Sequence, residues 1–181
     1  MRVPLVLVVL HVLAALLPRS ARAAGGHDRL ACVGCHGIHT AKGTQLAAIP
    51  PNFQAPERRT GMPHGPVTAL CLSCHGDADE GGKGIAPVSA HMLHPFSLAT
   101  VNARVAKVPE DLLRGGRFEC VACHDPHPSN PNWRYLRVAL GGSGAVAPLC
   151  NVCHPRKAAA GLPLPRRFSS MDERDQAAAG R

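Results

Sequence analysis

Aromatic residues are nearly missing from this chain: Phe, Trp and Tyr make up 3% of 181 residues, with one Trp and one Tyr. Gly (18) and Pro (17) together approach a fifth of it. A chain so composed has few large side chains for a core and many points where helices and strands must stop. The length would suit one ordinary domain, but the composition argues against one that fills its own interior. Either the chain is largely disordered or something other than its side chains occupies the centre. Runs of alternating apolar residues, the mark of strands, are not evident. The shortage of aromatics also removes the stacking platforms on which single-stranded nucleic acids are bound.

No apolar run reaches the roughly 20 residues a spanning helix needs. The longest, Leu5 to Leu17, is about thirteen residues; it follows Arg2 and precedes Ala21-Arg22-Ala23. That order reads as an export signal over 1–23, cleaved to leave about 158 residues from Ala24. The alternative is a retained membrane anchor. No cysteine lies in or just after the segment to take a lipid. His11 falls inside the run and is set aside with it.

Unpaired cysteines are missing as well. All eight occur as CxxC pairs, each followed at once by histidine: CVGCH at Cys32–His36, CLSCH at Cys71–His75, CVACH at Cys120–His124 and CNVCH at Cys150–His154. C-x-x-C-H is the attachment signature of c-type haem. Two thiols three residues apart can each add to one vinyl group of the same porphyrin. The next side chain then swings under the iron as its fifth ligand. Zinc uses CxxC pairs, but it does not require a histidine after every pair. Thioredoxin-like chemistry uses one CxxC near a βαβ pattern, which is absent here. Disulfides at i, i+3 would close loops too short to stabilise much. Four copies by chance are negligible. The expected cofactor is therefore four covalently attached haems c, bound through Cys32, Cys35, Cys71, Cys74, Cys120, Cys123, Cys150 and Cys153, with His36, His75, His124 and His154 as proximal ligands.

Four macrocycles over the mature chain leave about 40 residues each and supply the missing core. They also change the meaning of the charge. The formal net charge is +8; without 1–23, 17 basic residues face 12 acidic ones. Each haem brings two propionates, so the remaining +5 reads as their counter-charge, not as a nucleic-acid patch.

Six histidines remain: His27, His39, His64, His91, His94 and His127. Haem iron can be completed by His or Met, or left open for chemistry. His127 lies three residues beyond His124, and three residues span at most about 10 Å. That reach cannot round the macrocycle, and Pro126 stiffens the path. His127 therefore either does nothing to iron or ligates a neighbouring haem, which would lock the two haems into near contact. The same holds for His39 after His36. The chain also repeats: a leading His (His27, His94), a CxxCHxxH, then a CxxCH preceded by Leu, as in LCLSCH and LCNVCH. Each unit offers two haems and two further histidines, so His127, His39, His94 and His27 supply four distal ligands for four irons. Which one serves which iron stays open. His64, His91, Met62 and Met92 are reserve candidates.

LCLSCHGDADEGG, HPF, FECVACHDPH and LCNVCH resemble the doubled-CxxCH family of multihaem cytochromes c, over roughly residues 27 to 155. The family's usual distal histidines, the one in CHxPH and the one in HPF, fall on His127 and His94. His39 matches the first of these with Ile38 in place of Pro, and His27 sits closer to its cysteine than is typical. The resemblance implies a tetrahaem cytochrome c passing electrons between proteins.

The expected organisation is a signal at 1–23, a first dihaem unit at 24–80, a Gly-rich linker at 81–90, a second dihaem unit at 91–155 and a disordered tail at 156–181. The expected fold class is mainly α with extensive loops, low in regular secondary structure, its core formed by haems. Short helical turns are expected at 108–116, where Pro109 and two acids open the stretch, and at 132–138, with Trp133 and Tyr135 packing on haem edges. Arg166 and Arg167 serve solubility or dock an acidic partner. The expected function is electron relay in the periplasm or outside the cell. It would link a redox protein donor and an acceptor, such as a membrane quinol-oxidising complex or other multihaem cytochromes. The alternatives are a reductase or gas sensor with one open haem, and a subunit of a larger cytochrome assembly.

Overall fold

The computed structural model describes residues 26–37, 39, 47–90, 94–154 and 164–172. The segment expected to direct export, the 155–163 stretch and His91 lie outside the described residues. Among the described residues there are two α-helices, eight short 3₁₀ turns and no strand beyond four isolated bridges. None of these helices is long and apolar enough to cross a membrane. Little regular structure and much loop is what the glycine and proline content called for.

Helix α1 spans Pro66–His75 and helix α2 spans Ala147–Cys153; each has proline in its first turn, where a missing N–H costs nothing. Both carry a plain CxxCH motif at their C-terminal end. The two CxxCHxxH motifs instead form 3₁₀ turns, Cys32–Gly34 and Cys120–Ala122. In both, the histidine N–H returns to the first cysteine carbonyl, at 2.8 Å for His36 and 3.1 Å for His124. In both, a later segment clips the second cysteine: Ala48 N–H to Cys35 and Arg137 N–H to Cys123, each at 2.8 Å. The sequence repeat is thus also a repeat of local structure.

The apolar core is small. Leu112, Phe118, Ala122, Val138 and Val152 are buried, flanked by partly buried residues such as Leu98, Leu149 and Cys153. The largest fully buried side chains are polar: Glu119, Asn130, Thr68, Asp125 and Ser97. Hydrogen bonds to backbone, not aliphatic packing, therefore hold much of the interior. Asn130 Nδ2 donates to the carbonyls of Asp125 (3.0 Å) and Leu136 (3.2 Å).

Four segments differ from the sequence reading. At 108–116 only Glu110–Leu112 turns, because Leu113 is already extended and Gly115 (φ +56°) and Gly116 (φ +77°) reverse the chain. Arg114 and Arg117 exchange backbone hydrogen bonds across that reversal at 3.0 Å, the pattern of a two-residue hairpin with positive φ at both centres. At 132–138 only Trp133–Tyr135 turns, with Arg134 and Tyr135 in left-handed conformation. The carbonyls there are committed elsewhere: Tyr135 O accepts the Asp125 N–H at 2.8 Å. Trp133 is half exposed under the Arg134 guanidinium, 4.4 Å away, while Tyr135 is buried.

The Gly-rich 81–90 stretch does not run free. It folds back on the end of α1, with the Gly84 N–H on Gly76 O and the Ile85 N–H on Cys74 O, both at 3.0 Å. Finally, residues 164–172, expected to be disordered, form a docked strap. Phe168 is buried and exchanges backbone and guanidinium hydrogen bonds with Arg137, and the Ser170 N–H reaches Asp125 Oδ2 at 2.7 Å.

Candidate functional site

Three of the four CxxCH histidines are held by backbone carbonyls. His75 Nδ1 meets Ile85 O at 2.7 Å, His124 Nδ1 meets Arg134 O at 3.0 Å and His154 Nδ1 meets Val105 O at 2.9 Å. A carbonyl can only accept, so each Nδ1 carries the proton and Nε2 is left with its lone pair. That is the tautomer a metal-bound imidazole needs. The folded-back glycine stretch and the left-handed Arg134 thus acquire a purpose, since each presents a carbonyl to a histidine.

The further histidines meet the proximal ones ring to ring. His36 and His127 have centroids 6.3 Å apart and planes 2° from parallel. His94 and His154 are 6.2 Å apart, and His27 and His75 are 5.8 Å apart. Two imidazoles on opposite sides of one metal ion, each bonded at about 2.0 Å, set their ring centres roughly 6 Å apart. Three of the four proximal histidines therefore have a partner at the separation a shared iron requires. His39 is exposed, and its neighbours at 38 and 40–46 lie outside the described residues.

The partner histidines are anchored too. His94 Nδ1 meets Pro95 O at 2.8 Å, and His27 Nδ1 meets Pro126 O at 3.3 Å. His27 stacks on Tyr135 at 5.2 Å, and the Tyr135 hydroxyl donates to Asp28 Oδ1 at 2.7 Å. Burial lowers the His27 pKa and, with the Asp28 bond, pushes Tyr135 up to about 12. His127 Nδ1 instead donates to the buried Asp125 carboxylate at 2.7 Å. Burial alone would raise the Asp125 carboxyl. The bonds from His127 and the Ser170 N–H, with the Arg137 charge, outweigh it and hold it at about 2.

His64 stands apart. It is 7% exposed, stacks on Phe96 at 5.9 Å, and its buried Nδ1 has no hydrogen-bond partner. It lines a cavity of about 170 Å³ between His75 and His94, shared with Arg58, Asp77 and Glu80. A buried ring nitrogen without a partner there fits a site meant to hold a polar group.

All eight cysteines are free thiols, unbridged. They lie close enough to feel one another. Cys71 hydrogen-bonds Cys120, which raises the Cys71 thiol well above normal; burial and then Cys153 take Cys123 to about 12; burial and then Cys74 raise Cys35. Among the described residues no three His, Cys, Asp or Glu side chains converge as a metal-ion cluster, so the pairs are not arranged as zinc sites.

Residues 113–159 match the family model described as the doubled CXXCH motif. No curated protein and no solved structure matches the chain. Over that quarter of the chain the match, on top of this geometry, supports a haem-binding cytochrome c with haem c attached through CxxCH cysteines. Asp125, Arg137, Ser170, Glu119 and Asp28 complete the site and were not singled out from sequence. Only Asp125 carried a signal, lying two residues before His127, where an Asx turn forms.

Proposed function

We propose that the chain carries four haems c and relays electrons outside the cytoplasm between a donor and an acceptor protein. The observation that carries this is the set of three histidine pairs at 5.8–6.3 Å, each joining a CxxCH histidine to one from elsewhere in the sequence. His36 with His127, His75 with His27, and His154 with His94 would each close both faces of one iron. Count leaves His39 for His124, so the two CxxCHxxH motifs would exchange their second histidines.

Haem c so ligated supplies a one-electron ferric/ferrous couple with no free coordination position. What the protein adds is placement. The carbonyls of Ile85, Arg134 and Val105 fix the tautomer and orientation of three proximal rings. The exchange of histidines and the Cys71–Cys120 contact bring the attachment points of different motifs together. The signal-like N-terminus supports the location, and the lack of a free position supports a carrier over a reductase or gas sensor.

The test is haem quantification with the spectrum of the dithionite-reduced holoprotein, before and after carbon monoxide. Four haems per chain with unmoved bands are expected. A shift in about a quarter of the signal would mean one open iron and would move the enzyme or sensor reading to the front.

A further inference from the structure

Among the described residues, His27, His75, His94, His124 and His154 each set Nδ1 against a neutral backbone carbonyl. His127 differs: its Nδ1 faces Asp125 Oδ1 at 2.7 Å, with Ser170 Oγ alongside at 2.8 Å. The carboxylate is 2% exposed and fully engaged on its far side. Oδ2 accepts the Ser170 N–H at 2.7 Å and Arg137 Nη1 at 3.3 Å. Arg137 is itself clamped, its Nε on Val121 O at 2.7 Å and Nη1 on Phe168 O at 3.0 Å. A buried anion in a rigid frame thus stands behind this imidazole, where those five have a carbonyl.

An anionic acceptor draws the Nδ1 proton towards itself and makes the imidazole a stronger electron donor at Nε2. A stronger donor favours ferric over ferrous iron and lowers the reduction potential. We propose that Asp125 is a positioning residue that sets the iron between His36 and His127 at a lower potential than a histidine–carbonyl contact would give. The inference rests on the His36–His127 ligation above. It has a topological consequence: Asp125 lies in the third CxxCH segment, yet it tunes the haem attached through Cys32 and Cys35 in the first. The strap at 164–172 takes part, since Ser170 and Phe168 hold the carboxylate and Arg137 in place.

The experiment is an optically and EPR-monitored redox titration of the holoprotein and its variants. Asp125→Asn keeps the shape and removes the charge. One of the four midpoints should rise by a tenfold change in its reduction equilibrium, about 59 mV for one electron, while the other three stay put. Arg137→Gln, which frees the carboxylate from its counter-charge, should move the same midpoint downward, so the test survives if Asp125→Asn does not assemble. Unmoved midpoints, or an equal shift of all four, overturn the proposal. His127→Ala separates this from failure of the underlying ligation. If that variant opens one iron to carbon monoxide while Asp125→Asn moves nothing, only the tuning role is lost. If His127→Ala leaves every iron closed, His127 is not a ligand and both fall.

Discussion

Glu119 is 2% exposed, and its Oε2 accepts the Thr68 N–H at 2.6 Å. Thr68 is the third residue of α1, so a carboxylate from the third CxxCH segment satisfies an orphan donor at the start of the helix bearing the second motif. The helix dipole favours a negative charge there. Gly65 lies so close that a Cβ would meet the Glu119 carboxyl carbon at 2.5 Å, which explains the glycine before Pro66. Glu119→Ala should cost about 2 kcal/mol, the usual loss of a good cap plus an unsatisfied buried donor. The check is the urea midpoint of the holoprotein at unchanged haem content; an unchanged midpoint would mean the two segments are held together by other contacts.

Glu57 acts more locally. Its carboxylate accepts the Thr60 N–H (2.8 Å), the Thr60 hydroxyl (2.7 Å) and the Arg59 N–H (3.1 Å), closing the turn beside the His64 cavity. Burial works to raise its pKa, but these bonds win and hold it below the ordinary 4.5. A carboxyl depressed in the folded state stabilises the fold above its unfolded pKa and loses that contribution as pH falls through the folded value. Stability should therefore decline below pH 4.5 more steeply in the wild type than in Glu57→Gln, read as the difference in urea midpoint between the two proteins across that range. Parallel curves would remove Glu57 from the account.

At the scale of elements, what could be read from the sequence is what spacing dictates. CxxCH fixes which residues would face a porphyrin, and the split between Leu-CxxCH and CxxCHxxH turns out in the structure to match helical and 3₁₀ carriers. What escaped was set by partners far along the chain. The 132–138 stretch has ordinary helix composition, but its carbonyls are needed by His124 and Asp125, so two residues turn left-handed. Residues 164–172 look like tail because their one buried apolar side chain among the described residues, Phe168, means nothing until Arg137 is placed. The pairing of His36 with a residue 91 positions later lies beyond any local rule. If the strap is an element and not a coincidence of packing, Phe168→Ala should loosen it by about 2 kcal/mol, the burial value of the ring. The Phe168 and Ser170 amides, bonded to Arg137 O at 2.6 Å and Asp125 Oδ2 at 2.7 Å, should then exchange with solvent about 30-fold faster. Unchanged exchange would show the strap held by its polar contacts alone.

At the scale of the whole molecule, the four motifs form one connected cluster and not a string. The first touches the second through His27 and His75 and the third through His36 and His127; the second touches the third through Cys71 and Cys120; the third and fourth pack on one apolar cluster through Cys123 and Cys153. Nearly every one of these contacts involves a CxxCH motif, while the main apolar cluster among the described residues holds five buried side chains. A fold whose long-range contacts converge on its cofactor should not persist without it, since ligand binding and folding then share one free energy. Expressed in a host that cannot attach haem, the chain should show a far-UV spectrum of mostly unfolded protein and no cooperative thermal transition. It should also be digested by protease within the time the holoprotein survives. The partial case is sharper. Replacing Cys120 and Cys123 together by Ala removes the attachment site at the centre of the cluster, touching both neighbours, and should destabilise the chain more than the same change at Cys150 and Cys153 at its edge. Equal losses at both positions would mean that each haem stabilises only its own segment, and that the motifs are independent modules.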